Sequence, residues 1–138
     1  MTYESNLPAP FRPTLVETVW ESPQMDYFCA EVSERLILSR CTDGLVYVRT
    51  DGEDGRILGE LSRQTSFALR LNRIYDDDVE VRVQNRGIHD ACVWYQVAIS
   101  ANDGTDLKRL VDGASDRIHA IVTAAVAQRN AVQDGRLF

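Results

Sequence analysis

The chain is short of the residues that most often carry chemistry: it has one lysine, two histidines and three cysteines. His89 falls in an expected turn and His119 on the flank of an expected helix, so no histidine cluster is offered for a metal centre or a histidine-based triad. Cys29, Cys41 and Cys92 are scattered, odd in number and without C-x-x-C spacing. They read as small apolar residues, buried in a protein of a reducing compartment, rather than as zinc or redox ligands. The G-x-S-x-G, G-x-x-x-x-G-K-[ST] and G-x-G-x-x-G patterns are missing, which removes the common nucleophile elbow, phosphate cradle and dinucleotide turn. Apolar runs stay well below the roughly 18 residues that a spanning helix needs. The start "MTYESNLPAPFRP" lacks a basic and then apolar signal pattern, so a soluble chain, not exported by that route, is expected. Internal repeats and low-complexity tracts are absent as well.

What is present is an ordinary globular composition, 44% hydrophobic and 26% charged over 138 residues, enough for one domain with its own core. The net charge of -6 is unevenly placed. Residues 1–34 hold six acidic side chains against Arg12, residues 35–89 balance nine against nine, and the remainder holds six against five. This acidity opposes long-range steering of nucleic acid to the whole molecule, while a local basic face in the balanced centre stays open.

Pro8, Pro10 and Pro13 exclude a helix at the start and mark residues 1–13 as an extended arm. "TLVETVWES" alternates with a period of two, a strand ended by Pro23. In "DYFCAEVSERLILSR", Phe28, Ala30 and Val32 alternate as in a strand, though "CAEVSERLIL" also winds as a short amphipathic helix; the strand is the favoured expectation. "TDG" at 42–44 is a turn. Leu45 to Thr50, "DGEDG" and Arg56 to Leu61 form a hairpin. Ser62 is placed to cap a short helix through "RQTSFALRL", with Phe67, Ala68 and Leu71 on one side. Val79, Val81 and Val83 alternate with Glu80 and Arg82 in a strand with one wet face, "NRG" turns, and "ACVWYQVAIS" reads as a central strand. From Asp103 or Thr105, either able to cap, an apolar stripe runs from Leu107 through Ala114, Ile118, Ile121 and Val122 to Val126. Gly113 leaves open whether this is one kinked helix or two.

Two clusters raise functional questions. Asp76, Asp77 and Asp78, with Asp51, Glu53 and Asp54 of the hairpin turn, are hard oxygen ligands in type, but as acidic turn residues they read first as a solvated surface. Tyr47 and Arg49 share one face of the hairpin, near Arg56 and Arg63. An aromatic ring with arginines stacks a base and holds a phosphate, whereas the plainer reading pairs those arginines with the acids of the same hairpin.

Leu36, Leu38 and Arg40, then Val46 and Val48, then Asp54, Gly55, Arg56, Leu58, Gly59 and Leu61, then Ala68 and Leu69 give residues 31–100 an order that resembles the HIRAN family. The resemblance implies a small strand-rich barrel with helices that recognises DNA ends. In that family the segment before V-x-V contacts the DNA end; here it is "CTDGLV", with Asp43 as its acidic residue and Thr42 at the aromatic position. The order of elements is also similar to that of secretion-type chaperones, acidic proteins that dimerise and bind extended client segments.

These readings combine into one expectation: an α+β protein with a strongly bent antiparallel sheet or partly open small barrel, one short helix and a long C-terminal helix. Residues 1–13 form the arm and 14–138 a single domain. The expected role is a non-enzymatic binding or assembly module without cofactor or metal, with HIRAN-like nucleic-acid binding through Asp43, Tyr47, Arg49, Arg56, Arg63 and Arg82. The alternative is an oligomeric chaperone-like or virion assembly protein that binds protein chains through a sheet edge, the arm or the last helix. Either way the partners are protein or nucleic acid and not a membrane, and the place is the cytoplasm or a particle assembled there.

Overall fold

The computed structural model describes residues 14–21, 27–53 and 55–133, so the expected arm, residues 1–13, lies outside the described residues. The chain forms β1 (Leu15–Trp20), β2 (Arg35–Arg40), β3 (Val46–Thr50), β4 (Ile57–Glu60), α1 (Arg63–Leu71), β5 (Val79–His89), β6 (Cys92–Ala101) and α2 (Leu107–Gln133). All six strands join one antiparallel sheet in the order β1-β6-β5-β2-β3-β4. This is the expected α+β class, with an open rather than a closed sheet.

Period-two alternation sends one face of every strand inward. Val46 and Val48 of β3, Val79, Val81 and Val83 of β5, and Val93, Tyr95, Val97 and Ile99 of β6 are buried, together with Leu36, Leu38 and Leu58. The sheet bends until its two edges meet. A Cβ at Gly59 of β4 would stand 2.8 Å from Val19 Cβ and 3.0 Å from the Trp20 backbone N and O of β1. Only glycine permits so close an approach. Beyond it, Glu17 Oε1 of β1 accepts from the Ser62 N–H (3.1 Å) and the Ser62 hydroxyl (3.0 Å). Ser62 Oγ in turn accepts from the Thr65 N–H at 3.2 Å, so the cap of α1 is tied to the seam between the edges.

Several local expectations are corrected. Residues 27–34 do not form a strand: Ser33 has φ 73°, and the backbone is held by side chains instead. The Tyr95 hydroxyl accepts from the Cys29 N–H at 2.8 Å, and Arg86 Nη1 donates to the Ala30 carbonyl at 2.7 Å. The reversal expected at "NRG" lies further on, at Asp90 and Ala91, both with positive φ. Strand β5 continues through Gly87 because a side chain there would strike the Trp94 ring, 2.4 Å from the Cβ position. On α1 the buried residues are Thr65, Ser66, Ala68 and Leu69; Leu71 is exposed. Ser66 Oγ accepts from the Val46 N–H at 3.0 Å, which turns that side of the helix to the sheet. None of the three cysteines is buried: Cys41 is exposed, and Cys29 and Cys92 are half-buried.

Helix α2 is continuous through Gly113. Asp106, rather than Asp103 or Thr105, caps it, its carboxylate accepting from the Arg109 N–H at 3.3 Å, while Asp103 closes the preceding turn on Thr105. Leu107 and Ala114 are buried, but the stripe beyond Ile118 leaves the domain behind, and Ile121, Val122 and Val126 are exposed. Among the described residues no helix is long and apolar enough to cross a membrane.

Replacing Gly59 by alanine forces the seam apart, and a loss of about 1–3 kcal/mol is expected. Urea unfolding of Gly59→Ala against the parent measures it; an unchanged midpoint would show that the edges do not need this contact.

Candidate functional site

Helix α1 follows directly from the seam, and its outward face carries Arg63, Phe67 and Arg70. Spacings of four and three put these three side chains on one stripe. Beside them the turn after β2 brings Asp43, Gly44 and Leu45, and the six residues line one shallow groove of about 390 Å³. Arg70 Nη1 donates to the Gly44 carbonyl at 3.3 Å, which ties the helix to the turn.

The turn is ordered by its own acid. Asp43 Oδ1 accepts from the Leu45 N–H at 2.9 Å, and Oδ2 accepts from the Tyr47 hydroxyl at 2.8 Å. The backbone donor first, and the phenol second, hold the Asp43 carboxyl below its ordinary range. The same carboxylate pushes Tyr47 up to about 12, since ionising the phenol would lose the bond and set two anions side by side. The groove thus has two fixed cations on one wall and, at its end, a carboxylate with a neutral phenol.

The other arginines named from the sequence lie elsewhere. Arg49 is on the outer face of β3 and donates to the Thr50 carbonyl at 3.4 Å, folded over the Gly55 turn. Arg82 is on the outer face of β5, 2.6 Å from Glu80 Oε1 and 2.8 Å from the Ser33 carbonyl. Arg56, just before β4, faces Glu21 just after β1, with Nε 3.8 Å from Oε1. Asp43, Tyr47 and Arg63 are therefore brought together, while Arg49, Arg56 and Arg82 are dispersed. Phe67 and Arg70 were missed by the sequence reading, although their spacing from Arg63 is legible once the helix is placed.

The acidic cluster also divides. Asp76 Oδ1 accepts from the Leu38 N–H and Asp78 Oδ2 from the Tyr75 N–H, each at 2.8 Å, so both fasten the short 3₁₀ turn at Asp76–Asp78 to β2 and to itself. Asp51 and Glu53 stay in the β3–β4 turn. Among the described residues no group of three or more potential ligands converges on a metal position.

One carboxylate is out of water. The Glu21 side chain is 1% exposed, its Oε1 has no hydrogen-bond partner among the described residues, and the Cys29 thiol reaches Oε2 only at 4.0 Å. Burial pushes the Glu21 carboxyl up, more than the Arg56 cation beside it pulls it down. Burial also raises the Cys29 thiol, and the Glu21 charge adds to this, so Cys29 is not an activated nucleophile.

No family model matches the chain, and no curated protein matches it. Among solved structures, the crystal structure of the HIRAN domain of human HLTF is similar, with 16% sequence identity and a TM-score of 0.44 over 78% of this chain and 87% of that domain.

The raised carboxyl of Glu21 sets a pH dependence. Between the unfolded carboxylate range, about pH 4.3, and the higher native value, the folded protein binds a proton that the unfolded chain has released. Its contribution to stability is therefore lost as pH rises through that window. Glu21→Gln is expected to match the parent at acid pH and to exceed it in urea unfolding at neutral pH. A variant less stable at neutral pH would mean that attraction to Arg56 outweighs the burial of the charge.

Proposed function

We propose that this domain is a non-enzymatic binding module of HIRAN-like type that takes the end of a nucleic-acid strand along α1. The observation that carries the reading is the Arg63–Phe67–Arg70 stripe beside the Asp43–Tyr47 pair. Two cations one helical face apart match consecutive phosphates of a strand, and the half-buried Phe67 ring between them offers a π-face to a base. Asp43 supplies an acceptor at the end of the groove, and Tyr47 holds it in place. The groove lining has no histidine, cysteine or serine from which to build a nucleophile and base, which supports binding rather than turnover.

Because the chain carries a net charge of -6, binding must come from this local pair of arginines and not from the field of the whole molecule. Affinity is then modest and steeply salt-dependent. Arg49, Arg56 and Arg82 fall outside the proposed path.

Fluorescence anisotropy with a short single-stranded DNA at low salt tests this. The double variant Arg63→Ala/Arg70→Ala is expected to weaken binding about tenfold or more and to lower the salt slope by about one for each arginine removed. Arg82→Ala is expected to leave both unchanged. Absence of binding by the parent at low salt, or equal losses from the Arg82 variant, ends the reading.

A further inference from the structure

Helix α2 outruns everything it packs on. Its start lies by the C-terminal end of α1, where Asn72 and Thr105 share a cleft, and Ser115, Ile118, His119 and Val122 face Arg63 and Gln64 at the N-terminal end. The two helices therefore run antiparallel, and α1 stops at the level of Ile118 to Val122. The helix continues to Gln133, an overhang of about 22 Å at 1.5 Å per residue.

The overhang is not built to stand alone in water. Val111, Ala114, Ile118, Ile121 and Ala125 repeat at alternating spacings of three and four, the 3.5-residue period of a helix that packs on another helix. Over the first half of this stripe α1 and the sheet provide the cover. Over the second half Ile121 is 58%, Val122 54% and Val126 42% exposed. Residues 118–128, "IHAIVTAAVAQ", contain no charged side chain apart from the titratable His119, and Ile121, Val122, Thr123 and Val126 are poor helix formers by intrinsic preference. Such a segment gains its helical stability from packing rather than from propensity or from ion pairs along its surface.

We infer that the α2 overhang pairs antiparallel with the same overhang of a second copy of this chain, making a two-fold dimer. Charge decides for a second copy. An uncharged stripe gives an acidic or basic partner nothing to pair with, and nucleic acid nothing to hold, but it is complementary to itself. Antiparallel packing also turns Asp116, at the root of one overhang, toward Arg129, near the tip of the other, twice over by symmetry. Because α1 already runs antiparallel to α2, the partner's helix continues the line of α1. Its C-terminal end then points at the α1 N-terminus across the groove lined by Arg63, Gln64, Ile118, His119 and Val122, a favourable order of helix dipoles. The inference is independent of nucleic-acid binding.

Sedimentation equilibrium of the full chain over a range of concentrations tests it. A mass of twice the 15.6 kDa of one chain is expected at high concentration. Ile121→Asp should raise the dissociation constant on the order of a hundredfold, because each copy then buries a charge in the stripe. Ile121 lies outside the core, so the sheet survives, which a preserved near-ultraviolet circular dichroism spectrum checks. Thr123→Asp, on the opposite side of the same turn, should remain dimeric. Arg129→Asp should weaken the dimer several-fold, and Asp116→Arg added to it should restore the dimer. A parent that stays monomeric at every concentration overturns the inference and leaves the stripe to residues 1–13 or to another protein. So does an Ile121→Asp variant that dimerises as the parent does.

Discussion

Everything else in this molecule hangs on the close approach of β1 and β4 at Gly59. The sheet has two edges and no ladder between them, yet one missing side chain lets the β4 backbone lie against Val19 and Trp20. With the edges together, Glu17 reaches Ser62, Ser62 caps α1, and the helix starts at a fixed place and angle. The bent sheet then encloses the Val, Leu and Ile side chains of its inner face around Tyr95. The same closure brings Arg56 to Glu21, a buried pair that costs stability as much as it lends it. Two lone edges are also the usual route to unwanted strand pairing, and folding them toward each other narrows that route.

The division of labour follows from this frame. The inner face of the sheet is apolar and closed. On the outer face Arg82 is engaged by Glu80 and by the Ser33 carbonyl, and Arg49 is folded onto its own turn, so neither is presented to a ligand as an open cation. Helix α1 is left as the element that shows cations and an aromatic ring outward while held rigidly from behind by Ser66 on Val46. Helix α2 has the opposite character, an apolar stripe that α1 covers for only half its length. Charge for one ligand and apolar surface for another are kept on separate helices, and they meet only at Arg63, which borders both grooves.

Much of this was legible in the sequence, and the exceptions have physical causes. Strands β3, β5 and β6 have one buried face each, so their alternation is a direct record of the fold; Ser62 before a helical run is an equally local signal. The segment 27–34 misled because Phe28 and Ala30 alternate as in a strand, while its backbone groups are satisfied by Tyr95 and Arg86, residues distant in sequence. "NRG" looked like a turn because Gly87 is there to admit the Trp94 ring, and the real turn at Asp90 and Ala91 has no glycine to announce it. For the candidate site, Asp43 and Tyr47 are four residues apart and could be joined on paper. The choice of Arg63 over Arg49, Arg56 and Arg82 depends on which acids and carbonyls the closed sheet brings to each guanidinium, and no local pattern records that.

The most direct test of the central claim is a map of where a strand sits. Backbone amide shifts followed by nuclear magnetic resonance during titration with a short single-stranded DNA provide it, residue by residue. The perturbations are expected over Asp43 to Tyr47 and Arg63 to Arg70, with β5 and the outer face of β2 unmoved. Shifts centred instead on Arg35 and Arg82, which face each other across β2 and β5, would contradict the account.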